Sequence, residues 1–331
     1  MPAGGPSSLF IGGLGYVGLR VAQAALRVGF DVSGTIRHDE NAEQRRTQLQ
    51  AMGIQAFTWN GDSLTIEPQA LTALSDSTHL LSTIPPSRQL MKDTFLHTLR
   101  PTLIQASSLR WMGYLSSTSV YGNHDGDWVD EYSPTLGQDK SVMNRLDAEA
   151  DWISLCEATN GRLRPRVFRL AGIYGPGRSA VDTVRRLHTF AGNDDERHLP
   201  LRGNCKTKMK GNYVSRCHVD DIVRVVMTSM MNDLQDDQNE EIYNVADNEP
   251  APREDVLEYA SALLYGPSLS SIAEIDFSEA NMGERARRRA TENKRVSNAR
   301  MRRLISRTGG LQYPTYREGL LAILKDQVGD G

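Results

Sequence analysis

Apolar and polar positions alternate in blocks along the chain. After a Gly/Pro/Ser-rich start, Ser8–Ile11 is a short apolar run that reads as a buried strand. Leu14 to Gly29 follows with Val17, Val21, Ala24, Ala25 and Val28 at helical spacing. Val32–Ile36 and Ile54–Thr58 are two further strand-like runs, separated by the polar, helix-forming stretch Asn41–Met52. His79–Ile84 is a fourth strand, stopped by Pro85-Pro86, because proline has no N–H for a ladder. Arg88–Ser107 reads as a long helix and Met112–Ser117 as a fifth strand. Farther on, Asp147–Ala158 and Val219–Met231 have helical patterns, and Arg166–Leu170 and Ile242–Val245 are strand-like. Strands alternating with helices of this length predict βαβ units, hence an α/β fold with a doubly wound parallel sheet. Gly175–Met209 and Asp247–Arg307 break the rhythm with more charge, proline and loop residues, and read as a small region folded over the end of the sheet.

The motif with most chemical content sits at the first strand–helix junction. Gly12-Gly13-Leu14-Gly15-Tyr16-Val17-Gly18 satisfies both GxGxxG and GxxGxxG. Glycines there allow a tight turn and a close approach of the backbone to a pyrophosphate, while the helix N-terminus offers free N–H groups. This predicts a Rossmann dinucleotide site built on these seven residues. Arg37 stands at the tip of the second strand, where an NAD site places an acid against the ribose 2′-OH and where a guanidinium can instead pair with a 2′-phosphate. NADP is therefore expected ahead of NAD, although Asp39 and Glu40 follow closely and a two-residue shift in register puts an acid at the tip. Asp62, after the third strand, is expected to face the adenine, and Ser82, Thr83 and Ile84 to end the fourth strand beside the cofactor.

Composition narrows the class further. The chain has 331 residues, 39% hydrophobic and 24% charged, with a formal net charge of -3. That balance suits a folded enzyme-sized protein and excludes a strongly basic nucleic-acid binder. Arg285, Arg287, Arg288, Arg289, Lys294, Arg295, Arg300, Arg302 and Arg303 form a basic stretch, but no aromatic residue is interleaved with them, so a solvated surface is expected, not a nucleic-acid site. Cys156, Cys205 and Cys217 are widely spaced and form no zinc pattern, so no metal is expected and a reducing compartment fits. No run of about 20 apolar residues predicts a membrane span. The cytoplasm is the expected location, or an organelle if a transit peptide has been removed.

Over nearly the whole chain the sequence resembles a known family. The carriers are GGLGYVG at Gly12–Gly18, SSTSVYG at Ser116–Gly122, RLAGIYGPGR at Arg169–Arg178 and RCHVDDI at Arg216–Ile222. They are similar to the short-chain dehydrogenase/reductase superfamily in its extended, NAD-dependent epimerase/dehydratase form. KRVSNARMRRL at Lys294–Leu304, YPTYREGL at Tyr313–Leu320 and WVDE at Trp128–Glu131 further resemble the atypical subgroup that includes the bacterial protein YeeZ. The resemblance implies a Rossmann domain over 1–172 and 213–247 and a smaller substrate cap over 173–212 and 248–331.

The resemblance also implies catalytic roles. Extended members use a Ser/Thr, a Tyr and a Lys to orient and protonate a substrate oxygen. The Ser/Thr position matches Ser117, with Thr118 beside it, whereas the Tyr and Lys positions hold Ser141 and Arg145. Arginine is no proton reservoir but holds a ribose or phosphate well. A substitute acid must come from Tyr121, His124, Tyr174 or His218, and Tyr121 lies four residues after Ser117. Leu170 and Ala171 carry over as cofactor contacts, and Arg216 as a substrate-facing group. The implied function is an NADP-dependent oxidoreductase or epimerase-like enzyme acting on a small molecule. The missing YxxxK motivates a rival, a non-catalytic NADP(H)-binding redox sensor or scaffold. A homodimer through the Arg88–Ser107 and Asp147–Ala158 helices is the candidate assembly.

Overall fold

A computed structural model describes residues 7–191, 212–231, 241–266 and 292–329. Strands β1 (Ser8–Gly12), β2 (Asp31–Arg37), β3 (Ile54–Asn60), β4 (Thr65–Ile66), β5 (His79–Ser82) and β6 (Trp111–Ser117) come first. The short β7 (Trp128–Val129) precedes β8 (Arg166–Leu170), β9 (Gly172–Tyr174), β10 (Arg216–His218), β11 (Ile242–Val245) and β12 (Arg295–Val296). Eight of these form one sheet in the order β11-β8-β6-β5-β1-β2-β3-β4. Its neighbours are parallel except for the edge hairpin β3–β4. From β1 the chain winds outward through β2 and β3, then returns and winds the other way through β5, so the strand order reverses between β1 and β5. Ligands of such sheets lie at that switch point, beyond the carboxyl ends of the strands.

Helices cover both faces. They are α1 (Tyr16–Arg27), α2 (Ala42–Ala51), α3 (Pro68–Asp76), α4 (Thr94–Gln105), α5 (Lys140–Ile153), α6 (Leu155–Ala158), α7 (Ala180–Ala191), α8 (Val219–Met231), α9 (Arg253–Tyr265), α10 (Ala299–Ile305) and α11 (Tyr316–Gly329). The period-two alternation of a strand divides β1 between two cores. Leu9 and Ile11 pack with Val21 of α1, Val225 of α8 and Met301 of α10. Phe10 packs on the opposite face with Leu74 of α3, Leu99 of α4 and Trp152 of α5. With both faces covered, the strands read as continuous apolar runs, and each fully buried large side chain contributes roughly 1.5–3 kcal/mol. A third cluster joins Tyr174, Val184 of α7, Leu257 of α9 and Leu320 of α11 beside the small β9–β10 pair.

Some boundaries differ from the pattern reading. The helix expected from Arg88 begins only at Thr94, because Ser87 and Lys92 bridge first and Asp93 then caps, accepting from Leu96 N at 2.9 Å. The helix expected from Asp147 starts earlier, at Lys140, where Asp139 accepts from Ser141 N and Val142 N at 3.0 and 3.1 Å. The short β4 and α3 have no counterpart in the expected elements. Of the expected cap, 192–211, 267–291 and 330–331 lie outside the described residues, as do Cys205, Arg285, Arg287, Arg288 and Arg289.

Candidate active site

At the switch point, two threonines hold the glycine turn from either side. Gly13 N donates to Thr35 Oγ1 of β2 at 3.0 Å, and Leu14 N donates to Thr35 O at 2.8 Å. From β5, Thr83 Oγ1 donates to Gly13 O at 2.7 Å and Thr83 N to Gly12 O at 2.8 Å. Gly13 has φ 91° and a Cβ there would press on Thr83 and Ile84, so both the backbone conformation and the space require glycine. A Cβ on Gly18 would lie 2.2 Å from Gly13 O, sealing helix against strand. Gly15 is the opposite case: it is exposed, and a Cβ there would meet nothing within 4 Å. It is also the N-cap of α1, with no side-chain cap and no acid in the first turn. The N–H groups of that turn are therefore left for a ligand, and the residues present fit a dinucleotide diphosphate. Val17 is buried in the core behind them. Ser82 is fully buried at the end of β5, and its Oγ has no partner among the described residues.

The tip of β2 is Arg37, paired in register with Trp59. Its side chain is exposed and makes no hydrogen bond or ion pair among the described residues. Asp39, by contrast, is committed. Arg45 holds it with two contacts of 3.0 and 3.1 Å, and Asn41 N donates to it at 2.9 Å. The Arg45 hydrogen bond draws the Asp39 carboxyl below its ordinary range. Asp62 is exposed on the turn after β3, where Asn60 Oδ1 accepts from Asp62 N and Ser63 N.

Beyond β5 the carboxyl edge changes character. Ser117 ends β6, and its Oγ accepts from Ser119 N at 3.2 Å in a 3-10 turn, Thr118–Tyr121. Thr118 is buried, and its Oγ1 is 3.4 Å from Leu170 O. Leu170 pairs with Ser117 in register, and Ala171 N donates to Val245 O at 3.0 Å, so these four residues sit together at the ends of β6 and β8. One residue deeper, Ser116, Arg169 and Asn244 form a row across β6, β8 and β11. Glu149 of α5 reaches this row. It accepts from Ser116 Oγ and forms a buried ion pair with Arg169, whose Nη2 lies 2.7 Å from Oε2. Arg169 Nη1 donates to the Tyr121 hydroxyl at 3.0 Å, which donates to Asn244 Oδ1 at 2.8 Å.

Tyr121, a candidate acid in the sequence, sits inside this network. It is 0% exposed and engaged on both sides, and burial raises its pKa against the opposing pull of Arg169. Arg145, on α5, lies beside the buried hydroxyl of Tyr114 and opposes the burial that raises its pKa. Residues 292–298 run along the loop after the 3-10 turn. Asn293 N donates to Asn123 Oδ1 and Lys294 Nζ to Gly122 O, and β12 pairs with β7.

On the cap side, Arg216 Nη1 donates to Val214 O and Ala251 O at 2.7 and 2.8 Å. Asp247 is 1% exposed, and its Oδ2 has no hydrogen-bond partner among the described residues. Burial pushes its pKa up to about 8, the hydrogen bond from Glu249 N and the charge of Arg216 only partly offset this, and the charges of Glu249 and Asp221 reinforce it. His218 is buried against Tyr174 and Tyr313, with ring centroids 5.1 and 4.1 Å away, and burial lowers its pKa. Among the described residues no group of three or more His, Cys, Asp or Glu is placed to hold a metal, and no helix is long and apolar enough to cross a membrane.

Sequence reasoning missed Thr35, Arg45 and the Glu149–Arg169–Asn244 row. Thr35 carried a signal, a polar residue inside an apolar strand. Arg169 and Asn244 carried the same signal in β8 and β11, but nothing in the sequence joined them to Glu149 of α5.

The model of the NAD dependent epimerase/dehydratase family matches residues 9–246. A comparison with curated proteins gave no match. Among solved structures, a functionally unknown conserved protein from Silicibacter pomeroyi is 33% identical, with a TM-score of 0.73 over 97% of this chain and 99% of that one. The dTDP-glucose 4,6-dehydratase of Bacillus anthracis, solved with NAD, is 15% identical with a TM-score of 0.67, over 95% and 94% of the two chains. Vestitone reductase from alfalfa is 16% identical with a TM-score of 0.64, over 97% and 98%. These last two likenesses are of fold.

Proposed function

The chain belongs to the NAD dependent epimerase/dehydratase family, and from that premise we propose that it is an NADP-dependent oxidoreductase or epimerase-like enzyme acting on a small molecule. The observation that carries the reading is the glycine turn, where Gly13 and Gly18 are sealed and Gly15 alone faces open space at an uncapped helix start. The preference for NADP is supported at the β2 tip. An NAD site needs a carboxylate free to accept from the ribose 2′-OH. Asp39 is held by Arg45 and Asn41, while Arg37 is left for an anion. A bound nicotinamide supplies or accepts a hydride. Ser117, with Thr118 behind it, orients the substrate oxygen at the ends of β6 and β8, and Arg145 steadies the cofactor from α5.

The test is a fluorescence titration with NADPH and NADH. Tight NADPH binding with weak NADH binding is expected, and Arg37→Ala should weaken NADPH by about 2 kcal/mol while sparing NADH. Equal losses for both nucleotides would remove the 2′-phosphate assignment. One observation favours a second reading, a non-catalytic NADP(H)-binding sensor or scaffold: Tyr121, four residues after Ser117, is buried and engaged on both sides. Turnover of carbonyl substrates with NADPH, lost in Ser117→Ala without loss of nucleotide binding, would decide for the enzyme.

A further inference from the structure

The turn Gly175–Arg178 leads from β9 into α7 and is used by none of the roles above. It closes on itself, Gly175 N donating to Arg178 O at 3.2 Å and Arg178 N to Gly175 O at 3.0 Å. Tyr16, the residue after Gly15, pins it to the glycine turn by donating to Pro176 O at 3.1 Å. Gly175 is what permits this approach, because a Cβ there would lie 2.6 Å from both the Tyr16 hydroxyl and Val219. Arg178 is exposed, with its guanidinium carbon 5.5 Å from the centre of the Tyr16 ring. Arg20, one helical turn on, stands 4.0 Å from the same ring and donates to Tyr16 O at 2.9 Å.

Neither guanidinium has a carboxylate within 4.0 Å among the described residues. The two acids of the neighbourhood are turned elsewhere. Asp182 accepts from Ser179 N and Oγ at 2.8 and 2.6 Å, and Asp220 lies 3.6 Å from His218 Nδ1. Two cations with no close carboxylate therefore flank the first residue of the helix whose N–H groups await an anion.

We propose that Arg178, with Arg20, supplies the positive charge of the diphosphate site, and that the Tyr16–Pro176 bond sets its position. The inference rests on the dinucleotide reading given above. It adds a cation that the glycine turn does not contain and that comes from the segment entering α7. Charge-assisted guanidinium–phosphate bonds are the strong kind, and their exposed position makes them sensitive to salt. The 2′-phosphate is assigned to the β2 tip, so Arg178 should act on NADPH and NADH alike.

The experiment titrates the full chain and its Arg178→Ala and Arg178→Lys variants with NADPH, NADH and 2′-AMP, at low and high salt. Arg178→Ala is expected to weaken NADPH and NADH by the same factor, about tenfold, and to flatten their salt dependence. Binding of 2′-AMP, which has no diphosphate, should not change, and Arg178→Lys should recover part of the loss. Tyr16→Phe, which frees the turn while keeping both guanidinia, should give a smaller loss of the same pattern. Unchanged nucleotide affinity in Arg178→Ala would overturn the proposal, and so would a loss confined to NADPH. Binding of neither nucleotide by the wild type would overturn the dinucleotide reading itself, a result distinct from both.

Discussion

The two halves of the sheet's carboxyl edge are built on opposite principles. From β1 to β3 the edge is backbone: glycines, uncapped N–H groups and side chains such as Arg37 that lack partners among the described residues. From β6 to β11 it is side chain: a buried row in which Ser116, Glu149, Arg169, Tyr121 and the Asn244 carbonyl oxygen are bonded to one another. The first half leaves its bonding capacity for a ligand, and the second uses most of it in holding five elements together, β6, the 3-10 turn, α5, β8 and β11. A ligand-binding surface needs unmet donors, whereas a buried polar group without a partner is costly. The same sheet can meet both demands because they fall on different sides of its switch point.

Substitutions in the two halves should therefore separate binding from stability. Gly15→Asp should abolish binding of both nucleotides in a titration yet leave the urea midpoint nearly unchanged, since its side chain enters open space. A large loss of stability in that variant would break the comparison. Glu149→Ala should do the reverse, lowering the unfolding free energy by about 3–5 kcal/mol because it strands Arg169 in the core. Glu149→Met combined with Arg169→Met should lose less than the single variant, which urea denaturation would show.

Next in size is a pH effect on the cap side. Asp247 has its pKa raised in the fold to about 8 from 3.8, so the folded chain holds a proton there that the unfolded chain releases. Its contribution is complete below about pH 4, declines as pH rises toward 8, and is gone above it. The urea midpoint of the wild type should fall between pH 6 and pH 8.5, and Asp247→Asn should flatten that slope. The smallest effect is expected at Tyr121→Phe, about 1 kcal/mol of stability for a removed hydroxyl that serves Arg169 and Asn244. A drop in nucleotide affinity there would blur the division between the halves.

The division also explains what the sequence could disclose. The glycine turn was legible because its chemistry demands one residue type at fixed spacing, and Arg37 because strand length alone puts it at the tip. The alternation of strands and helices was legible for the same reason, each being a local pattern. Asp93 and Asp139 start helices away from the expected positions through cap bonds that hydrophobic periodicity does not register. The Glu149–Arg169 pair and the Tyr121–Asn244 bond join residues up to 123 positions apart. Nothing near Tyr121 in sequence announces that Asn244 will close over it, so its burial became visible only in three dimensions.

The strap formed by residues 292–298 sets an order of events during synthesis. Its bonds to Asn123 and Gly122 span 170 and 172 residues, so the loop after Ser117 waits on the ribosome for its own fastening. At about 5–20 residues per second, that wait lasts on the order of ten seconds or more. Through this interval Thr35 and Thr83, the two side chains that hold the glycine turn, are already made.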